Sequence, residues 1–294
     1  MLSLRFTLIM RKTVLFCGLF CGFILFTYCS KNSLKSPTAS FLVVNNPTLS
    51  VSSPSMGTSS HKITDVWFYV NDKFQGCYPI GGVMPIVATG NADIKLFAGI
   101  RNNGIGATRQ PYIMYKPIAF NQVVEPGVTY TINPVFEYIS YAHFLFYEDF
   151  EGFGSLFIPA GDSSFAITTN PAVAFGGVGK SLFMGMSDAK PTSKIVSSIN
   201  YLFPSSGSTG TRVYLEMNYK CNQEISVGLI GGTQERTAIT LRATDDWNKI
   251  YIELTTAVNT QPTYNFYKVF IAATKKADVA NPAIYLDNIK VVTE

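Results

Sequence analysis

The sequence has few histidines and few charged residues. His61 and His143 are the only two histidines among 294 residues, and charged side chains make up 14% of the chain. Neither histidine stands near a Ser or Cys nucleophile motif, and no Cys and His spacing matches a metal site. We therefore expect neither histidine-dependent catalysis nor a zinc centre, and we predict that the protein is not an enzyme.

An excess of charge of one sign is also missing from most of the chain. Arg5, Arg11 and Lys12 lie in the first 28 residues, which contain no acid, so 20 of the 23 basic residues remain to balance 19 acidic ones. A protein that binds nucleic acid would show a basic face or stripe. We therefore expect no nucleic-acid partner.

Cysteines are scarce beyond the N-terminal segment. Of the five, only Cys77 and Cys221 lie beyond residue 29. They are far apart, one in each half of the chain, so we expect two buried free thiols although an exported protein permits a disulfide.

The N-terminal segment predicts export. The apolar run from Thr13 to Tyr28 is shorter than the roughly 20 residues that a spanning helix needs. It follows Arg11 and Lys12 and stops at Cys29, which is the arrangement of a secretory signal. A cysteine at the processing point predicts a bacterial lipoprotein, with residues 1–28 removed and Cys29 lipidated. An uncleaved anchor and an ordinary signal cut near Cys29 are the alternatives.

The residues after Cys29 predict the location and the tether. More than one acyl chain on Cys29 would hold the protein at a membrane. In a lipoprotein sent to the cell surface we would expect an acidic cluster after this cysteine, and the sequence has none there. We therefore predict an outer-membrane lipoprotein that faces the periplasm. Residues 29–60, rich in Ser, Asn, Thr and Pro, form a lipid-anchored tether that includes a first strand near Phe41–Val44.

The rest of the chain has the alternating pattern of β-strands and no long helical period. Val213, Leu215 and Met217 would face a core while Tyr214 and Glu216 face outward, which predicts a half-buried strand. Many short strands separated by Gly, Asn, Asp or Pro are typical of sandwiches and barrels. We therefore predict an all-β fold.

Two resemblances refine this prediction. The stretch Asp65–Ile105, with VWFYVNDKFQGCYPI and GNADIKLFAGIRNNGI, resembles a PEGA or carboxypeptidase-regulatory β-sandwich module, which implies a domain over residues 61–143. The motifs FYEDFEG, GGVGKSLFMGM, DDWNKIYIEL and AIYLDNIKVV follow in the order seen in galactose-binding-like jelly rolls. That resemblance implies a second β-sandwich, a jelly roll, over residues 144–294, of the kind that serves many carbohydrate-binding modules.

Three aromatic residues are candidates for binding a ligand. Tyr264 and Tyr267 follow Pro262 near a loop edge, and Trp247 follows an acidic pair. Exposed aromatic faces can stack on sugars. Core packing is the alternative for at least one tyrosine, and a plug at the end of the sandwich is the alternative for Trp247.

Three acidic residues are candidates for a structural calcium site. Glu148 and Glu151 fall on the first strand of the jelly roll and Asp287 on the last. The resemblance implies that these strands are neighbours, and calcium takes six to eight oxygen ligands. Solvated strand ends or turn caps are the alternative, and no other cofactor is predicted.

These observations predict a membrane-anchored, non-catalytic lipoprotein that recognises a glycan through its C-terminal jelly roll. The alternative is a structural or assembly subunit that contacts other envelope proteins through sheet edges or an apolar face. The partners are then the membrane, through lipid on Cys29, and either a glycan or envelope proteins.

Overall fold

The computed structural model describes residues 38–203, 211–259 and 266–294. Its regular structure is almost entirely β, which confirms the all-β prediction, and the α-helix within these ranges is the short α1 at Thr255–Asn259. The predicted signal segment and Cys29 lie outside the described residues. Among the residues described, no helix has the length and apolarity needed to cross a membrane.

The first ten strands build an N-terminal β-sandwich. Sheet 1 has the order β5-β1-β9, sheet 2 pairs β10 with β2, and sheet 3 has the order β4-β3-β6-β7 with β8 also on β6. Buried apolar side chains from all three sheets share one core. The strands are β1 Ser40–Val44, β2 Thr48–Ser50, β3 Asp65–Val70, β4 Lys73–Pro79, β5 Val83–Ile86, β6 Gly90–Arg101, β7 Arg109–Pro111, β8 Ile118–Val124, β9 Thr129–Ile132 and β10 Val135–Glu137.

The remaining strands build a second sandwich in which the chain passes back and forth between two sheets, as in a jelly roll. Sheet 4 has the order β13-β14-β22-β17-β20 with β11 on β22, and sheet 5 has the order β12-β15-β21-β18-β19 with β16 on β21. The strands are β11 His143–Glu148, β12 Phe157–Pro159, β13 Ala166–Thr168, β14 Ser181–Gly185, β15 Thr192–Ser197, β16 Tyr201–Leu202, β17 Val213–Cys221, β18 Ile225–Gly231, β19 Gln234–Leu241, β20 Thr244–Glu253, β21 Phe266–Thr274 and β22 Ala283–Thr293.

Local sequence explains many of the strand boundaries. Asn71 and Asp72 both have positive φ, 49° and 62°, so they form the tight turn that joins β3 to β4. Alternation along β6 puts Ile94 and Leu96 into the core. Cys77 and Cys221 are free thiols, as predicted, but only Cys221 is buried; Cys77 is half-buried, so its predicted burial was wrong.

Strand β17 differs from its prediction because both of its faces are buried. Leu215 and Met217 point into the C-terminal core, whereas Tyr214 points into the core of the N-terminal sandwich. Glu216, predicted to face outward, is 0% exposed. The prediction was wrong because alternation identifies two faces but does not reveal that the N-terminal sandwich covers the second. Sheet 4 is therefore a middle layer over part of its area.

A carboxylate lies in the interface between the two sandwiches. Tyr112 and Tyr138 of the N-terminal sandwich donate their hydroxyls to Glu216 Oε1, at 2.7 and 2.9 Å. Lys249 Nζ lies 3.1 Å from Glu216 Oε2 but is not aligned for a hydrogen bond. Burial opposes ionisation of Glu216, yet the charges of Lys249 and Lys290 outweigh it and lower the pKa of the carboxyl. The carboxylate is therefore ionised in the interior.

A second lysine joins the same interface. Lys290 donates from Nζ to the carbonyl oxygens of Met56 and Thr58, at 2.5 and 3.2 Å. Its side chain is fully buried, and this burial lowers the pKa of Lys290 to about 8. Residues 39–294 form one compact unit. The domain boundaries at residues 61, 143 and 144 remain predictions.

Breaking the Glu216–Lys249 pair should destabilise the fold strongly. We expect Lys249→Met to lower the free energy of unfolding by about 3 kcal/mol, because it leaves a buried carboxylate without its nearest cation. The double variant Glu216→Gln/Lys249→Met should lose less than the single variant. Urea unfolding at pH 7 measures both. Lys276→Gln, at the half-exposed Lys276–Glu224 pair, is the control and should change stability by less than about 1 kcal/mol. A double variant less stable than Lys249→Met would contradict this account.

Candidate binding site on sheet 4

A row of side chains crosses the outward face of sheet 4 where the N-terminal sandwich does not cover it. Ala166 on β13 lies opposite Phe183 on β14, Phe183 lies opposite Tyr285 on β22, and Tyr285 lies opposite Lys220 on β17. Residues directly opposite one another in antiparallel strands point to the same face, with Cβ atoms about 5 Å apart. The row therefore places two aromatic rings and an ammonium side by side.

The strand pattern fixes the direction of the two rings. Leu182 and Met184 flank Phe183 and are fully buried in the C-terminal core, so Phe183 points outward. Tyr285 lies in the same way between Ile284 and Leu286. The two rings are half-buried, with centroids 5.2 Å apart and planes inclined by 34°. The two rings therefore pack against each other, and we call them the ring pair.

Gly185 allows the ring of Phe183 to lie along the strand. A Cβ atom on Gly185 would stand 3.1 Å from Cζ and 3.3 Å from Cε1 of Phe183, closer than ordinary contacts allow. Any larger residue would push the ring away from the sheet. The glycine therefore helps to set the position of the ring pair.

A cleft of about 360 Å³ opens beside the ring pair, and Phe183 forms part of its wall. The cleft is open to solvent rather than enclosed. The lining combines apolar and polar groups, as a site for an amphipathic ligand would. The lining includes Phe165, Ala166, Phe183, Met186, Ser187 and Lys190.

A tight turn brings the polar residues to the cleft. The backbone N–H of Ser187 donates to the carbonyl of Lys190 at 3.0 Å, and that of Lys190 donates back to the carbonyl of Ser187 at 3.2 Å. Both side chains are exposed. The turn therefore holds a hydroxyl and an ammonium at the edge of the aromatic surface.

Trp247, one of the predicted ligand-binding residues, lies on the same face of sheet 4. Lys249, two residues further along β20, faces outward, so strand alternation also points Trp247 outward. The side chain of Trp247 is half-buried. Its indole N–H donates to the carbonyl of Val173 at 3.2 Å, and Phe175 contacts it edge-on at 5.3 Å. Trp247 thus fastens the loop before β14 to the sheet.

The two predicted tyrosines do not form a surface in the described part of the chain. Tyr267 is 0% exposed, and its hydroxyl donates to the carbonyl of Val258 at 3.3 Å. Its assignment to a ligand is corrected, because alternation on β21 turns the ring into the core. Tyr264 lies outside the described residues, and its assignment remains a prediction.

The three predicted calcium ligands are bonded by protein groups. Glu148 accepts the backbone N–H groups of Phe150 and Leu156, at 2.8 and 2.5 Å. Asp287 accepts the hydroxyl of Ser181 at 2.5 Å. Across residues 38–203, 211–259 and 266–294, no group of three or more His, Cys, Asp or Glu residues could hold a metal ion. The geometry gives no support to the predicted calcium site.

A lysine supplies the positive charge beside the third acid. The backbone N–H of Lys180 donates to Glu151 Oε1 at 2.6 Å, and Lys180 Nζ donates to the carbonyl oxygen of Glu151 at 2.9 Å. Gly179, with φ of 71°, leaves room for this carboxylate, which would stand 2.2 Å from a Cβ atom there. Glu151 therefore anchors the loop before β14.

Sequence reasoning missed Phe183, Tyr285 and Lys220 as a site. Alternation within β14 and β22 would have shown that both rings point outward. Their adjacency depends on the pairing of strands about 100 residues apart, which local patterns do not encode.

A second aromatic surface lies on the outward face of sheet 3. Trp67 and Phe74 stack with centroids 5.3 Å apart and planes inclined by 27°. Tyr69 contacts Phe74 at 5.2 Å and Phe97 at 5.3 Å. Phe74 is 50% exposed. These four residues are called the aromatic patch.

Carbohydrate-binding modules are among the solved structures similar to this chain. A family 61 module in complex with β-1,4-galactotriose is 13% identical, with a TM-score of 0.34, over 47% of this chain and 88% of that one. A family 29 variant with mannohexaose is 9% identical, with a TM-score of 0.34, over 52% of this chain and 90% of that one. No protein-family model matches the sequence, and no curated protein is significantly similar to it. These matches assign the chain to no family.

The carboxyl of Asp287 should make stability depend on pH. Burial raises the pKa of Asp287 from 3.8 to about 7. Between pH 3.8 and pH 7 the folded state therefore holds a proton on Asp287 that the unfolded state has released. The resulting contribution to the free energy of unfolding is full below pH 3.8 and is lost as the pH rises to 7. The loss is at most on the order of 4 kcal/mol.

Asp287→Asn should remove this dependence. We expect the stability of the wild type relative to Asp287→Asn to fall between pH 4 and pH 7, as measured by urea unfolding. Asp278→Asn, at an exposed position, is the control and should leave the pH profile unchanged. A constant difference between the wild type and Asp287→Asn would contradict the raised pKa.

Proposed function

We propose that this protein is a non-catalytic glycan-binding lipoprotein. Its ring pair and the adjoining cleft bind the sugar, and lipid on Cys29 holds it at the outer membrane, facing the periplasm. Mass spectrometry of the mature N-terminus tests the anchor: a diacylated or triacylated Cys29 supports it, and an unmodified or uncleaved N-terminus refutes it.

The ring pair beside the polar turn is the observation that carries the proposal. The face of an aromatic ring is electron-rich and attracts the slightly positive C–H groups of a sugar. Phe183 and Tyr285 pack with ring centroids 5.2 Å apart, and both rings remain partly exposed. Ser187 and Lys190 supply polar groups for sugar hydroxyls at the rim. A ligand with one apolar face and one polar edge matches this combination.

The reactive side chains of the described residues support a non-catalytic role. Burial raises the pKa of the Cys77 thiol to about 12 and that of Cys221 to about 11, so neither forms a thiolate readily. The ring nitrogens of His61 both lie 2.9 Å from backbone carbonyl oxygens, of Ser59 and Pro47. These bonds give the imidazole a structural role.

The alternative is an assembly subunit of an envelope complex, and the aromatic patch favours it. Exposed aromatic residues are enriched at protein interfaces, and the outward face of sheet 3 exposes half of Phe74. Placing a photo-crosslinking residue at position 74, with one at the exposed Val135 as control, tests it in intact cells. A defined protein adduct specific to position 74 supports the alternative, and its absence argues against it.

Removing either ring of the ring pair should weaken glycan binding. We expect Tyr285→Ala and Phe183→Ala each to raise the Kd about tenfold, because each removes part of the aromatic surface on which a sugar stacks. Isothermal titration with the best ligand from a glycan array measures this. The chain should begin at residue 30, since residues 144–294 alone would expose the buried face of β17. Phe74→Ala, in the aromatic patch, is the control and should bind normally. Equal affinity of all three variants and the wild type would place the ligand elsewhere.

A further inference from the structure

We propose that the glycan bound by this site is anionic, carrying carboxylate or sulfate groups. The proposal rests on the proposed function of the ring pair and concerns the class of ligand. Two lysines flank the aromatic surface on opposite sides, and neither has an anionic partner in the described structure.

Lys220 lies on one side of the ring pair. It stands directly opposite Tyr285 on the neighbouring strand, so its side chain leaves the same face of sheet 4. The side chain is half-buried, and no acid of the described residues forms an ion pair with it. The acids Asp245 and Asp246 lie on the neighbouring strand β20, and both are exposed without an ion pair. The ammonium next to Tyr285 is therefore available to a ligand.

Lys190 lies on the other side, where it lines the cleft with Phe183. The acid nearest to it in sequence is Asp188, whose carboxylate lies 3.0 Å from Lys275 Nζ instead. Lys190 forms no ion pair within the described ranges. Asp188 in the turn at Ser187–Lys190 is thus paired with Lys275, and Lys190 is left without a carboxylate beside the cleft.

The two features together match an acidic sugar. The C–H face of a uronic acid or a sulfated sugar can stack on a ring of the ring pair, while its anionic group projects from the edge of the sugar. A lysine is a flexible point charge that can follow groups at different positions on a polymer. Because both lysines reach solvent, their attraction for the ligand is screened by salt. A neutral glycan would leave both cations unused.

Matched pairs of polymers test the proposal. The chain from residue 30 is run in affinity gels and titrated with polygalacturonate, alginate and κ-carrageenan. Each polymer is compared with its carboxyl-reduced or desulfated form. We expect at least one acidic polymer to bind, and its neutral form to bind with at least tenfold lower affinity at 50 mM NaCl. The difference in affinity between the two forms should be smaller at 500 mM NaCl. The polymer that binds distinguishes carboxylate from sulfate.

Three variants locate the charge effect. Lys190→Gln and Lys220→Gln should each weaken binding of the acidic polymer about threefold to fivefold at low salt, and should weaken binding of its neutral form by less. Lys116→Gln is the control, since Lys116 is exposed and without an ion pair but lies in the N-terminal sandwich. An unchanged melting temperature shows that each variant is folded.

The outcomes separate this inference from the proposed function. Equal binding of acidic and neutral forms, or equal effects of all three lysine variants, overturns the anionic ligand but leaves a glycan-binding site. Binding of neutral glycans alone does the same. If no acidic or neutral glycan binds and the ring-pair variants behave as the wild type, the proposed function itself fails.

Discussion

The burial of Glu216 between the two sandwiches is the constraint on which the arrangement of this protein depends. An ionised carboxylate in the interior is tolerated only when hydrogen bonds and opposite charge surround it. The N-terminal sandwich supplies the hydroxyls of Tyr112 and Tyr138, and the C-terminal sandwich supplies Lys249. Neither half alone satisfies the carboxylate, so docking of the halves and ionisation of Glu216 depend on each other.

This interface divides the outward face of sheet 4 into two parts. Tyr214 and Tyr251 lie where the N-terminal sandwich covers the sheet, and both pack against Tyr112, at 5.1 and 4.8 Å. Phe183 and Tyr285 lie beyond the covered area on the same face. Aromatic residues thus serve as interior packing on one part of the sheet and as a half-exposed surface on the other. The two sets of aromatic residues are of the same type, and they differ because the N-terminal sandwich covers only one of them.

The strands could be predicted from the sequence because alternation and turn residues are local signals. The β-branched and aromatic runs Asp65–Val70 and Thr129–Ile132 each form a strand over those residues. The burial of Glu216 could not be predicted, because period-2 alternation names the two faces of a strand without saying what covers each. Tyr267 was misassigned for a related reason, since its neighbourhood left open which face was core. The ring pair was missed because its members meet through distant strand pairing, although Trp247 on the same face was among the candidates.

Strand β1 has a position that matters mechanically. It is the middle strand of sheet 1, paired antiparallel with β5 and parallel with β9. Under the proposed anchor at Cys29 and the proposed glycan site, tension between the two would enter the described chain at β1. Strands loaded lengthwise must break many hydrogen bonds together, whereas strands peeled from an end break them singly. Because β1 is hydrogen-bonded to a strand on each side, both strand pairs would resist such tension together.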